Sequence, residues 1–213
     1  MHPKAPLART QGEEVTDPGT AESQAAETGR DEQRIIDACL SGTPAGYRVL
    51  VQRYQRAVLA ITYRLVGNRH EAEELSQQSF VDAYTALAGF RRGARFSSWL
   101  YRIAVNNSKD FLKSKKRTEM VLDTEVEGDR GQFSATFADP ETALATRERD
   151  ARLMAAIQRL PFKYRTVLVL KDIEDLPYEE IGAIVRRPLT TLKIRVVRAR
   201  KMLRAILEQE ERL

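Results

Sequence analysis

Cysteine occurs once in the 213 residues, at Cys39, so no disulfide can form within the chain. Histidine occurs only at His2 and His70, which leaves too few ligands for a Cys/His zinc site. A reducing compartment and no structural metal are expected. Cys39 sits in the helically spaced run Arg34 to Leu40, which fits a small buried apolar residue better than a redox sensor. Long apolar runs are missing too. The longest, such as Ala57 to Ile61 and Thr166 to Leu170, fall far short of the roughly 20 residues that cross a bilayer, and no secretory apolar core opens the chain. The expectation is a cytoplasmic protein without membrane insertion. Aromatics make up 7% and charged residues 31%, a balance that fits helical modules better than a β-sandwich. No P-loop, His pair at metal spacing or Gly-x-Ser-x-Gly elbow is present. The acids fall on predicted solvent faces or in a linker, where two-metal chemistry would need them to converge. Neither an enzyme, nucleases and recombinases included, nor a cofactor is expected.

What is present is a concentrated positive charge. The net charge of +5 and pI near 9.4 lean only weakly toward a polyanion. Between Arg186 and Arg204, however, Arg186, Arg187, Lys193, Arg195, Arg198, Arg200, Lys201 and Arg204 stand with no acid among them. The run from Glu179 has the order of a helix-turn-helix: a short helix, a break at Arg186 to Pro188, and a basic second helix. On that helix Leu192, Val196, Ala199 and Leu203 keep helical spacing and would pack inward. The first turns of such a helix reach base edges, which nominates Thr190, Thr191, Lys193, Ile194, Val197 and Arg198. An outward Val197 suits a thymine methyl and is hard to explain by the other reading, a solvated basic helix.

The whole chain reads as all-α. Residues 1–30, rich in Pro, Gly, Ala, Thr and Gln and poor in large apolar side chains, are predicted to be a disordered acidic tail. From Asp31 the apolar spacing becomes helical. Two helices are followed by a third that Asn68 caps through Glu71, and by a fourth from Trp99 to Arg117 capped by Ser97 or Ser98. Residues 118–138 lose the periodicity and gain Gly128, Gly131 and acids, the mark of a flexible linker. Asp139 and Pro140 then restart a second domain of four helices over 139–213, with Leu153, Ile157 and Leu160 facing its core.

A second nucleic-acid signal lies between Phe90 and Trp99, where Arg91, Arg92 and Arg95 interleave with Phe90, Phe96 and Trp99 on a loop that ends at a helix start. Arginines and backbone N–H groups hold phosphates, and aromatic faces stack on unpaired bases. The alternative is that the three rings are core residues flanking a charged loop.

Three segments together resemble one family. Ala72 to Phe80, Phe96 to Asn106, and Leu160 to Arg165 leading into Tyr178 to Ile181 are similar, in order and spacing, to the extracytoplasmic-function sigma factors of bacterial RNA polymerase, the RpoE-like class. The resemblance covers nearly everything from Asp31 to Leu207. It implies a sigma-two domain over 31–117 and a sigma-four domain over 139–213, with the linker running through the polymerase. The implied partners are core RNA polymerase (the β′ coiled coil and the β subunit), promoter DNA and an anti-sigma factor, in a stress or environmental response. It further implies polymerase docking through Glu74, Gln77 and Gln78. Minus-ten recognition and melting would fall to Arg91, Arg92, Arg95, Ser97, Ser98 and Asn106, with Asn106 receiving a flipped base. The matching minus-thirty-five positions are Lys193, Ile194, Val197 and Arg198. Ile194 stands where the family commonly has serine, and Pro177 where it commonly has a capping serine; altered specificity is the implied consequence. The alternative function is an autonomous helix-turn-helix regulator of duplex operators, which leaves the Phe90 to Trp99 loop and the Glu74 to Gln78 helix without a role.

Overall fold

In a computed structural model, the described residues are 18–91, 93–122 and 140–210, with side chains described for 27–91, 93–118 and 149–210. Among them every regular element is helical. The first half holds α1 (Pro18–Leu40), α2 (Tyr47–Val66), α3 (Arg69–Thr85) and α4 (Phe96–Leu122); the second holds α5 (Pro140–Gln158), α6 (Phe162–Leu168), α7 (Tyr178–Val185) and α8 (Leu189–Glu210).

Helix α1 begins at Pro18, inside the stretch expected to be a disordered tail. Ala21, Glu22, Gln24, Ala25 and Ala26 are strong helix formers, and extending a helix already nucleated by packed residues costs little. Residues 1–17 lie outside the described residues. Likewise α4 starts at Phe96 and runs to Leu122, beyond the expected linker start at 118. Its first ladder bond, Trp99 N to Arg95 O at 3.2 Å, puts Ser97 and Ser98 inside the first turn instead of at a cap. The remainder of the expected linker, with Asp139, lies outside the described residues.

In the first half α2, α3 and α4 pack around Leu50, Val58, Ile61, Leu65, Phe80, Leu100 and Ala104. Asn68 caps α3 as expected, its Oδ1 accepting from Glu71 N at 3.0 Å. Helix α1 adds Ile36 and Cys39 to this core, and its buried Glu32 accepts from Arg53 at 3.2 Å and from the Tyr54 hydroxyl. Burial and that contact hold the Tyr54 phenol well above the ordinary tyrosine range.

In the second half Ile157, Leu160, Val167, Leu170, Ile181, Ile184, Leu192 and Val196 are buried, but Leu153 is 40% exposed. Among the described side chains of α5, from residue 149 on, the buried ones begin at Ala156, and Leu153 falls one turn short. After α6 the chain makes one turn of π-helix, Val169–Ile173.

Candidate nucleic-acid and polymerase-binding surfaces

Three residues shape α7 and the turn that leads into α8. Pro177 precedes α7 with φ −63 and ψ 150, and its carbonyl accepts from Glu180 N and Ile181 N at 3.1 Å, so the preset ring conformation replaces a side-chain cap. Arg186 ends α7 in the left-handed region, φ 51 and ψ 55. A Cβ at Gly182 would stand 3.3 Å from the Arg187 carbonyl oxygen, so glycine gives the turn its room. On α8, Leu192, Val196 and Ala199 are buried as expected, and Leu203 is half-buried. Thr190, Lys193, Ile194, Val197 and Arg198 are exposed and Thr191 is half-buried. Ile194 at 54% and Val197 at 64% exposure are branched apolar residues flanked by Lys193 and Arg198. Such a face offers methyl contacts to base edges and cations to phosphates. Lys193 Nζ also lies 6.0 Å from the Tyr178 ring centroid, whereas Arg200 is held by Asp172 at 2.8 and 2.5 Å.

The second surface lies where the loop after α3 meets α4. Phe96 is buried, and Phe90 and Trp99 are half-buried, with ring centroids 5.3 to 5.8 Å apart in edge and tilted contacts. The rings therefore anchor the loop, the core reading, and leave Arg91 and Arg95 at the surface. Arg91 and Arg95 are exposed, Ser97 is half-buried, Ser98 is buried, and Arg92 lies outside the described residues. Asn106 is exposed farther along α4, while its neighbour Asn107 donates to Asp82 Oδ2 at 2.8 Å and Ser79 Oγ at 3.3 Å, fastening α4 to α3. The two amides thus divide: one is tied down and the other is available.

Sequence reasoning missed a stripe on the same helix. Arg102, Lys109, Lys113 and Lys116 stand four, three, seven and ten residues from Asn106, so they share one face with it. Burial and then the nearby charge of Arg186 pull the Arg102 guanidinium below its ordinary range. The signal was in the sequence, as basic residues at helical spacing around Asn106.

The third surface is the outer face of α3. Glu74, Gln77 and Gln78 are exposed, with Gln78 Nε2 donating to Asp82 Oδ1 at 2.7 Å. Val81, one turn on, is 57% exposed and was not singled out; an outward β-branched residue beside two glutamines marks a face that a partner can cover. Among the described residues no cluster of three or more His, Cys, Asp or Glu could hold a metal, and no helix is long and apolar enough to cross a membrane.

Comparison with known proteins gives these surfaces a common frame. Residues 50–118 match Sigma-70 region 2 and residues 150–203 match Sigma-70, region 4. The chain is 39% identical to the ECF RNA polymerase sigma factor SigW of Bacillus subtilis, over 81% of this chain and 94% of that protein. It is 34% identical to the RNA polymerase sigma-H factor of Pseudomonas aeruginosa, over 82% and 92% of the two chains. To the ECF RNA polymerase sigma-E factor of Haemophilus influenzae it is 32% identical, over 81% and 93%. In fold it is similar to the sigma factor RpoE of Bartonella quintana, solved with the anti-sigma factor NepR, with a TM-score of 0.64, 21% identity and coverage of 76% and 96%. It is similar also to CnrH, solved with the cytosolic domain of CnrY, at 0.62, 24%, and coverage of 84% and 98%. Two helical domains carrying region 2 and region 4, at this identity and over nearly the full length of the relatives, place the chain among the extracytoplasmic-function sigma factors of RNA polymerase.

Proposed function

We propose that this sigma factor binds core RNA polymerase through the α3 face of Glu74, Gln77 and Gln78, and opens promoters through the α4 surface. On this reading Arg91, Arg92, Arg95, Ser97 and Ser98 hold phosphates of the minus-ten strand and Asn106 receives a flipped base, whose pairing edge an amide can both donate to and accept from. Thr190, Thr191, Lys193, Ile194, Val197 and Arg198 read the minus-thirty-five element in duplex form. The functional units are residues 31–117 and 139–213. The observation that carries the reading is the outward face of α8, where Ile194 and Val197 are exposed between Lys193 and Arg198. Solvation gives no reason for two exposed branched apolar residues in that setting; base edges do.

The chain acts as an initiation factor and performs no catalysis, the phosphodiester chemistry belonging to the polymerase. Its place is the cytoplasm. Control by an anti-sigma factor, in a stress or environmental response, completes the reading; the solved RpoE of Bartonella quintana, held by the anti-sigma factor NepR, supports such control. An autonomous operator-binding regulator leaves the α3 face and the α4 surface unused.

The test is in vitro transcription of a pooled promoter library with bacterial core polymerase, with and without the protein, sequencing the starts. Dependent starts sharing two upstream elements are expected. Absence of dependent starts, with tight binding of the protein alone to duplex DNA, would overturn the reading.

A further inference from the structure

The exposed side chains of α8 fall into an order around its axis. At about 100° per residue, Thr190, Ile194, Val197 and Lys201 stand within about 60° of one another and form one outward line. All four are exposed. Lys193 lies on one side of this line and Arg198 on the other, while the buried Leu192, Val196 and Ala199 lie opposite. Lys193 leans toward α7, its Nζ 6.0 Å from the Tyr178 ring centroid. The middle of the line is therefore wholly apolar. Ile194 at 54% exposure and Val197 at 64% have no side-chain donor or acceptor, and the helix ladder occupies their backbone groups.

On a duplex, the major-groove edges of the base pairs present donors, acceptors and one apolar group, the C5 methyl of thymine. A branched apolar side chain set against the amino group of cytosine, or against O6 and N7 of guanine, strips water from those groups and leaves them unpaired, at a cost. Set against a methyl, the same side chain removes apolar surface of both partners from water. Spacing fits as well. Residues three apart on a helix have Cβ atoms about 5–6 Å apart. Neighbouring base pairs are about 3.4 Å apart along the axis, and farther at the groove edge, where the duplex twist adds to the rise. Ile194 and Val197 thus match one base-pair step.

We infer that Ile194 and Val197 read the 5-methyl groups of pyrimidines at two neighbouring base pairs of the minus-thirty-five duplex, so that the preference there is for a methyl and not for a hydrogen-bonding pattern. Thymine supplies that methyl. So does 5-methylcytosine, which carries the same group at the same ring position, whereas uracil and unmethylated cytosine lack it. Cytosine methylation at either position therefore strengthens recognition. The inference rests on the reading of α8 as the minus-thirty-five surface and deepens it.

The test uses the full chain bound to core polymerase and the promoter that the pooled transcription returns most often, with affinity read by competition between labelled and unlabelled duplexes at fixed salt. Its minus-thirty-five element should carry T·A pairs at two neighbouring positions. Replacing those thymines by deoxyuridine removes two methyls and nothing else, and should weaken binding about fifteenfold, at about fourfold per buried methyl. At either position 5-methylcytosine should bind about fourfold more tightly than cytosine. Ile194→Ser should lower the thymine-to-uracil ratio to about fourfold, and Ile194→Ser with Val197→Ser should bring it below about twofold. Both positions are exposed, so thermal melts of these variants should change little. Equal binding of the thymine and uracil duplexes overturns the proposal. If Lys193→Ala then still weakens binding to both, the reading of α8 as the minus-thirty-five surface stands. If neither Lys193→Ala nor Arg198→Ala alters promoter binding or choice, that reading falls with the proposal. A thymine-to-uracil ratio unchanged in the double variant also overturns the proposal, because the methyls would then act through the shape and stiffness of the duplex.

Discussion

The two basic surfaces of this chain, on α8 and at the start of α4, differ less in residue type than in availability. Both pair arginines with small polar residues at the start of a helix. On α8 the side chains point into solvent, with Val197 64% exposed. At the start of α4 Ser98 is buried and Arg95 is paired with Glu180. A list of basic residues would rank the two alike. The difference teaches that helix starts of similar composition are set apart by packing: the α8 face meets solvent, whereas the start of α4 is packed against α7 through Glu180.

Removing Arg165 should break this comparison most completely. Its buried guanidinium donates to the carbonyls of Leu65, Gln158 and Leu160, holding the α5–α6 junction and the end of α2 together. Burial draws it down to about 10, so it stays charged at neutral pH. Arg165→Ala leaves those acceptors without their charged donor and should cost about 3 kcal/mol in a urea melt. A first unfolding step confined to one half is expected, because a main contact between the halves is weakened.

Arg198→Ala and Lys193→Ala sharpen the open side. For Arg198 a loss of about 1–3 kcal/mol in promoter competition, uneven across minus-thirty-five sequences, is expected if it touches a base edge. Lys193→Ala should weaken all sequences alike and reduce the salt slope by about 1, the behaviour of a phosphate contact.

Alkali tests the seam. Tyr101 is buried in α4 and pushed up to about 12, first by burial and then by the charges of Glu174, Glu180 and Glu32. A phenol whose pKa rises on folding favours the folded state in full below its ordinary value near 10. That stability is lost as pH climbs from 10 through 12. The expected loss is about 1–2 kcal/mol, seen as a melt that weakens together with tyrosinate absorbance, and Tyr101→Phe should move its onset upward.

Much of the fold was legible because local signals agreed with the packing. Asn68 with Glu71, Pro177 before α7, and the inward spacing of Leu192, Val196 and Ala199 each act within a turn or two of chain, and sequence carries that range well. Leu153 misled because its spacing is right but the buried residues among the described side chains of its helix begin a turn later, at Ala156. The start of α1 misled because helix formers can extend a helix that burial alone does not demand. The clasp of Gln158, Arg165 and Glu174 on α2, and of Glu180 on Arg95 and Ser98, left no trace in spacing. It joins residues as many as 110 positions apart, and each of them has an adequate local explanation on its own.

The smallest effects come from two adjacent amides, and they separate fold from function most finely. Asn107 donates to Asp82 and Ser79, so Asn107→Ala should cost about 1 kcal/mol of stability and leave promoter preference unchanged. Asn106 is exposed, so Asn106→Ala should leave the melt within about 0.5 kcal/mol, the range of ordinary surface changes. If it receives the flipped base, the same variant should impair strand opening and minus-ten discrimination, read by reactivity of unpaired thymines, while polymerase binding stays intact. Paired measurements on the two variants cross over: stability falls for one and opening for the other. Unchanged opening in Asn106→Ala would take the base pocket away from Asn106 and leave Arg102, in the same stripe, as the next residue to test.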